Sequence, residues 1–130
     1  MAIKGAPFAS YPDGQTVFGL GGDRNLYPLP IPDAYEFFAA GAASAAIGAS
    51  GAAGDFLQTI IIMPASISPG AITIKDGSAG SAITIFPGGA NSVADLKPFS
   101  VRLGLRATAA GGWQLATGAA VSAITTGIFT

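Results

Sequence analysis

The chain has 130 residues, room for one domain, and only 10% of them are charged, with six Lys and Arg against seven Asp and Glu and a net charge of −1. So even a balance offers no basic stripe and excludes nucleic acid as the main partner, while so few charges suit a surface largely covered by neighbours. No histidine and no cysteine are present, which excludes disulfides, thiolate metal sites and the commonest general base.

Residues 1–38 read as an extended N-terminal arm. Seven of the twelve aromatic residues lie there (Phe8, Tyr11, Phe18, Tyr27, Tyr35, Phe37 and Phe38) among five of the nine prolines. Proline fixes φ and removes a donor, so the arm is poor in internal hydrogen bonds, yet aromatics supply the most burial per residue. Such an arm needs a surface to lie on, and these seven aromatics are its expected subunit contacts. Within it Asp13-Gly14 signals a turn, Gln15–Leu20 one short strand, and Tyr27–Pro32 polyproline II or a sheet edge. The first seven residues hold no apolar core long enough for a secretory signal.

Residues 39–54, AAGAASAAIGASGAAG, form an Ala/Gly-rich connector or edge strand. Four glycines in sixteen residues, each less favourable than alanine by about 1 kcal/mol, oppose a helix. The uncharged run from Phe37 to Gly54 is long enough to span a bilayer, but its small residues give too weak a transfer free energy, so no membrane role is expected.

From Asp55 the strand signal is clear. Phe56–Met63 is β-branched and apolar, and Pro64 closes it. Ala71–Lys75 and Ala82–Phe86 face each other across a Gly-containing loop, which predicts a hairpin with Ile72, Ile74, Ile83 and Ile85 on one face and Thr73 and Thr84 on the other. Phe99–Arg106 alternates, with Phe99, Val101, Leu103 and Leu105 opposed to Ser100, Arg102, Gly104 and Arg106. Trp113–Thr117 and Ala120–Thr126 complete six strands with turn residues between them. The expected fold is all-β, an antiparallel sandwich or small barrel over residues 55–130 with a core of Ile, Leu and Val. Removal of residues 1–38 is expected to leave this body folded.

Chemistry-bearing patterns are sparse. Arg102 and Arg106, four apart on one strand, are candidate outer-face contacts for an anion, against the plainer reading of a solvated face. Trp113 is a candidate for stacking on a sugar ring, against core or subunit interface. Asp33 and Glu36 are the close carboxylate pair, better read as an exposed turn than as a glycosidase dyad. Gly19-Leu20-Gly21-Gly22 lacks the Lys-Ser/Thr of a phosphate loop, and Asp76-Gly77 is a turn without the converging oxygens of a calcium site. No enzyme activity, cofactor or metal is expected.

The strand pattern PFSVRLGLR…GGWQLATGAAVSAITTG, with its short strands, Gly/Ala-rich turns and few charges, resembles small structural proteins of tailed bacteriophages, in particular head decoration or cement proteins. The resemblance covers roughly residues 55–130 and is one of style, so no functional residue is carried over. It implies a virion location, the major capsid protein as partner, and a homo-oligomer, a trimer being favoured. It also implies an N-terminal arm that clamps neighbouring subunits; the Ala/Gly run departs from the pattern. Two alternatives stand beside it: a receptor- or glycan-binding module using Trp113, Arg102 and Arg106, and a self-assembling filament subunit whose arm donates a strand.

Overall fold

The computed structural model describes residues 34–130. The turn at Asp13, the strand Gln15–Leu20, the Tyr27–Pro32 stretch and the aromatics Phe8, Tyr11, Phe18 and Tyr27 lie outside the described residues.

Eight strands form, and among the described residues there is no helix, hence none long and apolar enough to cross a membrane. They are β1 (Ala34–Phe38), β2 (Ala45–Ala46), β3 (Phe56–Pro64), β4 (Ile72–Asp76), β5 (Ile83–Phe86), β6 (Phe99–Arg106), β7 (Trp113–Thr117) and β8 (Val121–Ile128). Two four-stranded antiparallel sheets result, ordered β1-β8-β3-β6 and β2-β7-β4-β5. The fold is therefore a sandwich of two sheets. Its pairs nest, β4 with β5 innermost, then β3 with β6, β2 with β7, and β1 with β8 outermost. A long hairpin wound this way is a jelly roll.

The core lies between the sheets. Leu57, Ile60 and Ile62 of β3 meet Ile72 and Ile74 of β4, Leu115 of β7, and Val121 and Ala123 of β8. Strand β8 alternates buried and half-buried along its whole length, as a strand with one face on a core must. Phe38, Ile47 and Trp113 complete the cluster at 6%, 0% and 4% exposure.

Three differences from the sequence reading have physical causes. First, the body begins at Ala34 rather than Asp55. All five residues of β1 pair with β8, from Ala34 opposite Gly127 to Phe38 opposite Ala123, so the end of the expected arm is an edge strand of the body. Second, the Ala/Gly run is mostly turns around a two-residue strand, β2, paired with β7. Its small residues serve close approach: at Gly51, where φ is +76°, a Cβ would run into the Gly111 carbonyl. The one large apolar residue of the run, Ile47, is fully buried.

Third, bulges shift the register of two strand pairs, while the expected faces persist, with Ile85 of β5 and Val101 and Leu103 of β6 packed against the core. In the β4–β5 hairpin Ile74 faces Ile83 and Thr73 faces Thr84, but Ile72 faces Phe86 rather than Ile85. In β6 the register against β3 steps from Leu57–Leu105 to Thr59–Arg102, an extra residue on β6. Gly104 takes that place with φ +63° and open space where a Cβ would be, so backbone conformation rather than crowding selects glycine there.

Candidate interaction surfaces

The outer face of the β1-β8-β3-β6 sheet is assembled from three strand registers. Phe37 lies opposite Ile124, Ile124 opposite Ile61, and Ile61 opposite Ser100. The next row runs Tyr35, Thr126, Thr59, Arg102. Because side chains alternate along β1, burying Phe38 turns Tyr35 and Phe37 outward, at 74% and 56% exposure. The result is an apolar row at the β1 edge of a face whose charges stand at the β6 edge.

The two arginines do not act alike. Arg106 lies opposite Phe56, its guanidinium 5.3 Å from the ring centroid, and donates to the Gly54 carbonyl at 2.9 Å. A cation over a ring face with a carbonyl partner is a fastening within the body. Arg102 is exposed opposite Thr59.

Trp113 faces the core, not the outside. It packs with the buried cluster and its Nε1–H donates to the Leu105 carbonyl at 3.2 Å, tying β7 of one sheet to β6 of the other. The expected outer-face group of Trp113, Arg102 and Arg106 is not formed, because Trp113 shares the core-facing side of β7 with Leu115. Phe38, expected against a neighbour, is likewise part of this chain's own core.

The carboxylates hold the fold. Glu36 Oε1 accepts the Gly48 amide at 2.6 Å. Asp55, 5% exposed, accepts the Ala52 amide at 3.0 Å and the Thr130 hydroxyl at 3.0 Å, fastening the loop before β3 to the chain after β8. Thr117, buried in β7, donates through Oγ1 to the Ala39 carbonyl at 2.6 Å and accepts the Ala42 amide at 2.8 Å, so β1's exit is stitched to the opposite sheet.

Asp76, at the end of β4, accepts the Thr108 hydroxyl at 2.6 Å and the Thr108 and Ala109 amides at 2.9 and 3.1 Å. The Thr108 hydroxyl above all, then the two amides, hold its carboxyl below the ordinary carboxylate range. A carboxyl depressed in the folded state contributes stability above its unfolded pKa, about 3.9, and loses it as pH falls through the lower folded value. Asp76→Asn is therefore expected to lower the melting temperature at neutral pH. The gap to the parent should close below pH 4, which thermal melts at stepped pH would read.

The second surface is the flank between β5 and β6, the last strands of their sheets. Ile83 lies opposite buried Ile74, Leu105 opposite buried Leu57, and Phe99 opposite buried Ile62. All three belong to the inter-sheet side, yet they are 50%, 49% and 37% exposed. The chain matches no protein-family model, no curated protein and no solved structure.

Proposed function

We propose that this chain is a non-enzymatic structural protein of a virion, a decoration or cement subunit that stabilises the major capsid shell through its N-terminal segment and through contacts between copies. The observation that carries this reading is the outer face just described. An aromatic, proline-rich segment of 33 residues joins the body at Ala34, beside exposed Tyr35 and Phe37 and the row through Ile124 and Ile61. Apolar area left on a body with so few charges favours covering by protein. The carboxylates described above are taken up by amides and hydroxyls of the fold, which agrees with a role in assembly rather than in chemistry. Jelly rolls serve in viral shells and also in lectins and enzymes, so the winding is compatible with the reading without selecting it.

The test is composition and place. Quantitative mass spectrometry of virions purified from cells that carry the gene is expected to find the chain at a fixed copy number per shell, with antibody labelling on the outside. Particles that lack the chain would refute the reading.

A further inference from the structure

We infer that the flank between β5 and β6 accepts a β-strand from a second copy of this chain, residues 15–20 of that copy's N-terminal segment. The inference rests on reading the N-terminal segment as the contact device.

The flank is an opening in the sandwich. On the opposite side Phe38 and Ile47 seal the space between the sheets at 6% and 0% exposure. Between β5 and β6 the described residues form a seal only at one end, where the Phe86 and Phe99 rings meet edge to face with centroids 5.4 Å apart. Toward the other end Ile83 and Leu105 point between the sheets and stay half exposed. Among the described residues β5 and β6 each have a strand partner on one side only, so the flank offers main-chain donors and acceptors beside apolar side chains. An edge of this kind binds an extended segment whose backbone extends the sheet and whose alternate side chains fill the gap.

Gln15-Thr16-Val17-Phe18-Gly19-Leu20 has that form. It carries no charge, and its alternation sets Phe18 and Leu20 on one face, two apolar anchors for the space between Ile83 and Leu105, with Gln15, Val17 and Gly19 on the other. Regular pairing of β6 with β3 runs from Phe99 to Arg102, a length that a six-residue strand covers.

Placement of the junction selects a second copy over the chain's own segment. The segment joins at β1, the edge of the sheet opposite β6. The thirteen residues from Gly21 to Asp33 span up to about 45 Å when extended, enough to carry the strand onto a neighbouring body. A neighbour seated with its β5–β6 flank beside this β1 edge receives the strand and covers Tyr35 and Phe37 in the same contact. A pairing between opposite sides of identical bodies is heterologous and closes into a ring when the rotation allows.

The chain contains no cysteine, so engineered pairs report without background. Full-length chains carrying Gln15→Cys, Val17→Cys or Gly19→Cys are each mixed with chains carrying Ser100→Cys or Arg102→Cys, unfolded, refolded together and oxidised. Ser100 and Arg102 lie on the face of β6 turned away from the gap, and alternation of the proposed strand would turn positions 15, 17 and 19 the same way. At least one combination is expected to give a disulfide-linked dimer on non-reducing gels. In parallel, Phe18→Asp and Leu105→Glu are each expected to weaken self-association at least tenfold in analytical ultracentrifugation, with far-UV circular dichroism unchanged.

No linked dimer in any mixture beyond what each variant forms alone, or self-association unaffected by both charged variants, would overturn the inference. These measurements use the purified chain alone. They stand or fall apart from whether the protein is found in virions.

Discussion

A chain lacking residues 1–33 is expected to unfold cooperatively within about 5 °C of the full-length protein, whereas one lacking residues 1–38 loses its cooperative transition. Five residues separate the two cuts, and they are β1. Losing them strips the edge of a sheet at all five paired positions and removes Phe38 from the core. Truncating a buried phenylalanine alone costs about 3–5 kcal/mol. Loss of β1 also frees the Gly48 amide from Glu36 and takes away the polypeptide that leads to the Ala39 and Ala42 groups bound by Thr117. A domain of this size holds only about 5–10 kcal/mol in total, so the longer cut removes most of it. Thermal melts followed by circular dichroism would compare the two. Equal melting of both truncated chains would show that β1 adds nothing to the body, against the burial of Phe38.

Trp113→Ala is expected to destabilise the protein by about 3–5 kcal/mol, enough to populate the unfolded state at 37 °C. The indole is 4% exposed, packs in the central cluster, and gives its N–H to Leu105 across the two sheets. Replacement removes a large buried area and leaves a carbonyl without its donor. Trp113→Phe, which keeps much of the ring but not the donor, should lose clearly less. Urea titrations followed by far-UV circular dichroism would give both differences. Loss of any binding activity in Trp113→Ala would then report unfolding, so that substitution is no probe of sugar recognition. Changes at Tyr35 and Phe37, which are exposed, are the ones that read a surface contact without disturbing the core.

The strands from Phe56 to Ile128 were legible because their signals are local. β-branched runs with period two, punctuated by Pro and Gly, specify a strand whatever it pairs with. β1 was harder to see. Its last four residues, Tyr35-Glu36-Phe37-Phe38, place two phenylalanines side by side, which hides the alternation, and the prolines just before them suggest an arm. Only pairing with β8 shows that Phe37 and Phe38 have opposite fates, one exposed and one in the core. β2 carried no periodic signal, since alanine and glycine look alike on either face; Ile47 was its single clue. Trp113 showed its strand but not its direction, because which face of an alternating strand is inward depends on what packs against it.

Composition and spacing alone therefore determined the class of this protein: all-β, low in charge, without histidine or cysteine, and with seven of its twelve aromatics in the first 38 residues. These follow from residue identity and from neighbours a few positions away. The tertiary structure decided what depends on partners distant in the chain. Residues 34 and 127 meet at one edge, the pairs nest into a jelly roll, Phe38 and Trp113 turn inward, and the flank at Ile83 and Leu105 stays open. Pairing across some ninety residues is a choice among whole-chain arrangements, made by the sum of burial over both sheets, and no local stretch of sequence carries that sum.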